Sequence, residues 1–152
     1  MPGAYHEALK MLARRELSES QVRQRLARHG HGADAIEEAV TRLRDERAID
    51  DARVAEAIAR TETSVRRRGR LRVRLAIERA GIAPATAKRA VDQAFDAIDD
   101  DALIESSINK RLHGRESIAD DREFQRMYRY LVGQGFEPDR VMAALTARRR
   151  GD

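Results

Sequence analysis

The fold class the sequence predicts is all-α: three tandem three-helix, helix-turn-helix-like repeats in an extended, curved array. Three observations predict it. Charged residues make up 37% of the 152 positions and aromatics only 4%, which suits several thin cores better than one thick one. Ala, Leu, Arg and Glu dominate, and all are good helix formers. Three glycines, Gly30, Gly81 and Gly135, fall at intervals of 81 − 30 = 51 and 135 − 81 = 54 residues and set a common register.

Each glycine is embedded in the same apolar pattern. Leu26, Ile77 and Leu131 lie four residues before it, and Val22, Val73 and Met127 lie eight before. Ile36, Ala87 and Val141 follow by six, Ala39, Ala90 and Ala144 by nine, and Val40, Val91 and Leu145 by ten. The residues before the glycine form one face of a helix that stops there, and those after it form one face of a second helix. Glycine at the helix end takes a left-handed conformation that other residues adopt only with steric strain.

The elements follow in order. Repeat 1, residues 4–49, opens with a helix from about Tyr5 to Arg15. Ser18 with Gln21 has the form of a capping box and starts the helix ending at Gly30. Repeat 2, residues 50–98, starts at Asp50-Asp51, with Val54, Ala55, Ile58 and Ala59 as its inward stripe. Ile82 directly after Gly81 packs back on the helix end, and Pro84 suits a first-turn position. Repeat 3, residues 99–150, starts at Asp99-Asp100-Asp101, with Ile104, Ser107, Ile108 and Leu112 inward. Phe136 and Pro138 occupy the places of Ile82 and Pro84. Leu71 to Ile77 alternates with period two, a strand signal. The repeat register overrides it and places Val73, Ala76, Ile77 and Ala80 on the inner face of a helix.

Several chemistries lack residues to carry them. With no Cys, disulfides, thiolate zinc sites and Cys nucleophiles are excluded. No apolar run approaches membrane-spanning length. Met1-Pro2-Gly3-Ala4 leads straight into a helical pattern rather than a signal peptide, so a cytoplasmic protein is expected. The glycines are dispersed and none precedes Lys-Ser or Lys-Thr, so no phosphate-binding loop is present. Ser64, Ser106 and Ser107 are surface or packing positions rather than nucleophiles. No catalytic residue, metal ligand or cofactor is therefore expected. The acidic pairs Asp50-Asp51, Asp99-Asp100 and Asp120-Asp121 sit at helix starts, where capping and the helix dipole explain them. His29 and His31 flank Gly30 with no carboxylate at metal-motif spacing.

Net charge is +4, and nearly every base is arginine; the lysines are Lys10, Lys88 and Lys110. Arg66, Arg67, Arg68, Arg70, Arg72, Arg74 and Arg79 crowd around Gly69, with Glu78 the only acid among them. Arginine grips phosphates and carboxylates through two hydrogen bonds at once, so this cluster is the leading site for an anionic partner. The competing reading is a solvated helix face. Arg148-Arg149-Arg150 is weaker, since the helix dipole already accounts for cations there. Phe124, Tyr128, Tyr130 and Phe136 are read as core, with Tyr130 beside Arg129 a further candidate for a binding face.

Three runs carry a resemblance. Ala8-Leu9-Lys10-Met11-Leu12-Ala13-Arg14-Arg15, with Ser18 and Leu26-Ala27-Arg28-His29-Gly30, resembles the opening of RecX-type regulators of the RecA recombinase. Ile49-Asp50-Asp51-Ala52-Arg53-Val54-Ala55 resembles that family's central Asp-Asp-x-Arg-aromatic-Ala signature, with Val54 in the aromatic's place. Tyr128 to Phe136 resembles its closing Arg-aromatic-Leu…Gly-Phe signature, with Gln134 where a base is common. The resemblance implies a protein without catalysis of its own that binds RecA and RecA filaments on single-stranded DNA; a monomer is expected. It implies restraint of filament growth and of ATP hydrolysis in DNA repair and recombination. The alternative is a nucleic-acid-binding repeat protein that acts without RecA.

Overall fold

The computed structural model describes residues 3–149. Met1 and Pro2, the start of the opening segment, and Arg150, the last of the terminal arginine triplet, lie outside the described residues. Among those described, nine α-helices account for the regular structure: α1 (Ala4–Arg14), α2 (Glu19–Arg28), α3 (Ala33–Asp45), α4 (Asp51–Arg60), α5 (Arg70–Arg79), α6 (Pro84–Phe95), α7 (Asp100–Leu112), α8 (Asp121–Gly133) and α9 (Pro138–Thr146). A π-helical turn, Thr61–Val65, extends α4. The alternating stretch is helix α5, with Val73 and Ile77 fully buried and Leu71 and Leu75 about half exposed. Its period-two pattern arises because the apolar face of α5 is narrow and two leucines lie outside it.

The helices start and stop where the side chains say they should. Ser18 accepts from the Gln21 N–H while the Gln21 side chain accepts from the Ser18 N–H, a complete capping box. Asp50, Asp99 and Asp120 accept from the backbone N–H groups of Arg53, Ala102 and Glu123, so one member of each acidic pair is a cap. Gly30, Gly81 and Gly135 all have positive φ, at 89°, 80° and 99°. Around Gly30 and Gly135 the two turn bonds of a Schellman ending are formed. His31 donates to the Leu26 carbonyl and Gly30 to Ala27, and Phe136 donates to Leu131 and Gly135 to Val132.

The chain divides into two compact units: residues through Ile58 with Ala76–Ala90, and Ala59–Leu75 with the residues from Val91 onward. In the first unit α1, α2 and α3 close on Ala8, Leu17, Val22, Leu26, Val40 and Leu43. At about 25 cal/mol per Å² of apolar area, each such leucine contributes about 2 kcal/mol. In the second unit α7, α8 and α9 close on Ile104, Ile108, Leu112, Phe124, Leu131 and Leu145.

Each unit contains one seam between helix ends. In the first, the Ser18 hydroxyl donates to the Ala80 carbonyl at the end of α5 and is buried there. A Cβ on Gly81 would collide with the Ser20 side chain, and the Glu19 N–H donates to Asp51 at 2.9 Å. In the second, the Gly69 N–H donates to the Gln134 carbonyl at 2.9 Å and the Leu71 N–H to the Gly135 carbonyl at 3.0 Å. A Cβ on Gly69 would lie 2.5 Å from the backbone of Gly135. Glycine is required on both sides, since a Cβ on Gly135 would strike Arg72.

Candidate partner-binding surface

The π-helical turn shapes the region where sequence places the arginine cluster. Thr63 Oγ1 donates to the Ala59 carbonyl at 2.7 Å, and the Arg66 N–H reaches back five residues to the Thr61 carbonyl. The widened turn carries Glu62 inward, where it is 6% exposed. Arg66 lies 3.3 Å from one of its carboxylate oxygens and Arg68 3.4 Å from the other. Arg67, between them, adopts a left-handed φ of 52°.

The structure separates the arginines by role. Arg68 is tied to Glu62. Arg70 holds Asp100 at 3.1 Å and lies over the ring of Phe95, 4.9 Å from its centroid. Arg72 donates to the Gly133 carbonyl at 2.7 Å. These three build the second unit. Glu62, just before the cluster, and the more distant Asp92 and Asp100 also reach it, so Glu78 is not the only acid near it. Arg66 and Arg67 are exposed, as are Arg74 and Arg79 on α5 and Arg129 on α8. Gly69, expected to allow close approach, does so internally, against Gly135.

Arg66 and Arg67 line a groove of about 410 Å³ in the second unit. Lys110, Ser106 and Ser107 come to it from α7, and Tyr130 from α8. No Asp or Glu lines it. Val65 is 76% exposed at its edge and Tyr130 38%, and the Arg111 guanidinium lies 3.4 Å from the Tyr130 ring centroid. Sequence reasoning missed Lys110, which lies more than forty positions from Arg67 and meets it at the groove only through the fold, and Arg111, which meets the ring of Tyr130. Ser107, expected inward, is half-buried at the groove instead. Phe124 and Phe136 are core residues as expected, and Tyr130 is not.

In the first unit the fold supplies the carboxylate that spacing did not show. Glu7 on α1 pairs with both His29 Nδ1 and His31 Nε2. These bonds, His31 first and then His29, hold the Glu7 carboxyl below its usual range. Among the described residues no group of three His, Asp or Glu side chains is arranged to hold a metal ion. None of the described helices is long and apolar enough to cross a membrane.

Comparison with known proteins places this geometry. The regulatory protein RecX of Chromohalobacter salexigens is 33% identical over 141 residues, which cover 91% of this chain and 88% of that protein. The chain belongs to the RecX family. The regulatory protein RecX of Halorhodospira halophila is 30% identical over 141 residues, 92% of this chain and 84% of the relative. The family's model for "RecX, first three-helix domain" matches residues 4–43, the α1–α3 bundle. The fold agrees with the crystal structure of RecX from Lactobacillus salivarius, with a TM-score of 0.75 at 20% identity, covering 95% of this chain and 93% of that one. RecX relatives are named as regulatory proteins.

Proposed function

We propose that this RecX-family chain acts as a cytoplasmic monomer that binds RecA and its filaments on single-stranded DNA. It restrains filament growth and ATP hydrolysis without catalysis of its own. Family membership supports the RecA partner, through the resemblance of the three signature runs. One structural observation supports the contact surface: the groove with Arg66, Arg67 and Lys110 has no carboxylate on its walls. Arg129, exposed on α8 one residue before Tyr130, and Arg74, exposed on α5, extend the surface in the second unit, and Arg79 is a further exposed cation in the first. Arg68, Arg70 and Arg72 serve it by fixing the loop and helix start that present Arg66 and Arg67.

The test is a titration into RecA hydrolysing ATP on single-stranded DNA. The chain alone should hydrolyse no nucleotide. Added at less than one copy per RecA, it should depress hydrolysis, because a few bound molecules interrupt a cooperative polymer. Replacing Arg67 and Arg129 together by Ala should weaken inhibition, since neither makes an ion pair with the described residues whose loss would disturb folding. A parent chain that leaves hydrolysis unchanged at every ratio would sink the RecA reading. The second reading, nucleic-acid binding without RecA, draws on the same acid-free groove and would then lead.

A further inference from the structure

We propose that the groove of the second unit is a slot for one unstacked base of a single-stranded polynucleotide, with Tyr130 as the stacking surface and Arg67 and Lys110 as phosphate contacts. This rests on the anionic-partner reading above and sharpens it to one ligand class.

A strand of nucleic acid offers two things at short intervals, a phosphate charge and a flat π-face, and sequence-tolerant sites meet them with cations and aromatic rings. Arg66 and Arg67 come from the segment after the π-helical turn and Lys110 from α7, so the cations reach the groove from two separate elements. Arg66 is partly neutralised by Glu62, 3.3 Å away, which leaves Arg67 and Lys110 as the stronger phosphate contacts. Tyr130 keeps 38% of its surface exposed although it sits among helices, and Arg111 covers its ring at 3.4 Å. A guanidinium on the ring fixes its orientation, and a base brought to the groove completes a layered contact. The volume, about 410 Å³, lies within the range of about 300–1,000 Å³ typical of small-ligand sites.

Charge separates this groove from a cavity of the first unit. There the cavity beside α3 is lined by Asp34, Glu37, Glu38, Asp45 and Glu46, with Arg42 the one cation, and a phosphodiester would be repelled. An acidic peptide would also satisfy the cations of the second unit. It would leave the Tyr130 face without a matching plane, which favours the polynucleotide.

The experiment measures binding of a fluorescent oligothymidylate to the full chain without RecA, by anisotropy across a salt series. The parent should bind the single strand more tightly than a duplex of equal length. Tyr130→Ala should weaken binding about tenfold with an unchanged salt slope, because stacking releases no counterions. Tyr130→Phe should bind like the parent. Arg67→Ala and Lys110→Ala should each reduce the slope by about 0.7, the value for one phosphate contact on a single strand. The helical circular dichroism of each variant should match the parent, since Tyr130, Arg67 and Lys110 are all exposed. Equal affinities of the parent and Tyr130→Ala would overturn the proposal. So would preference for duplex, or displacement of the oligonucleotide by oligoglutamate at lower concentration than by unlabelled oligothymidylate. Oligonucleotide binding without RecA inhibition would leave the slot standing and remove the RecA reading; inhibition without Tyr130-dependent binding would do the reverse.

Discussion

Ser18 and Gly69 occupy the same place in successive repeats, at 30 − 18 = 12 and 81 − 69 = 12 residues before the helix-ending glycine, yet they join helix ends by different means. Both serve a carbonyl one residue before the next repeat's glycine, Ala80 in the first unit and Gln134 in the second. Ser18 reaches it with a hydroxyl and keeps its own backbone N–H for the capping box. Gly69 reaches it with the backbone N–H, which is possible only because neither it nor Gly135 carries a Cβ. What the two seams share is therefore the acceptor. The donor varies, and with it the distance between backbones. At the equivalent place in the third repeat, 135 − 123 = 12, stands Glu123. It holds both Nη atoms of Arg115 at 2.9 and 2.7 Å rather than a helix end.

Breaking the seams should reveal the difference. The largest effect is expected for Gly69→Ala. Its Cβ would press on backbone that no rotamer change can clear, so urea unfolding should show a loss of about 3 kcal/mol. Gly30→Ala is the contrast: its φ is positive, unlike that of Gly69, but nothing lies within 4 Å of the added Cβ, and only about 1 kcal/mol of left-handed strain should appear. Equal losses at the two positions would show that the Gly69–Gly135 approach is loose.

Ser18→Ala should cost about 2 kcal/mol by the same measurement. It removes a helix cap and leaves a buried carbonyl without its donor. Ser18→Gly, which imitates the second seam at the first, should not restore the stability. The Ser18 N–H is already engaged by Gln21, and the Ser20 side chain still holds the two backbones apart.

The smallest effect concerns the third position and is read by pH. The Arg115 pair, and then the Ala119 N–H, lower the Glu123 carboxyl from 4.5 to about 2. A carboxyl depressed in the folded state stabilises it fully above the unfolded value and loses that contribution as pH falls toward the folded one. Stability should therefore decline between about pH 4.5 and pH 2, and Glu123→Gln should flatten the decline in thermal melts across that window. The same decline in parent and variant would remove the pair from the third repeat's stability.

These comparisons also show where the sequence could be read. The capping box at Ser18 and the aspartate caps were legible because each depends on neighbours within four residues, and the glycine register because its pattern recurs three times along the chain. Gly69 was legible as a point of close approach, but its partner was not, since Gly135 meets it across sixty-six positions. The arginine cluster was legible as charge. Its division into structural and exposed members was not, because Asp92, Asp100 and the Gly133 carbonyl reach it only through tertiary structure, and the inward turn of Glu62 depends on the π-helical turn. Tyr130 drew notice for standing next to Arg129. Its actual neighbour is Arg111, on another helix.

The widened turn at Thr61–Val65 has a consequence for any insertion or deletion there. Each residue of an ordinary α-helix advances the chain by about 100° around the axis. Removing one residue from the turn would let α4 continue in regular phase and swing Val65 and Arg66 about a quarter-turn away from α7. Glu62 would lose its inward place with them, releasing Arg68. The turn is a phase adjuster: one added residue sets the azimuth at which the basic loop leaves the helix. A relative lacking that residue would present its cations to a different side, even with every arginine retained.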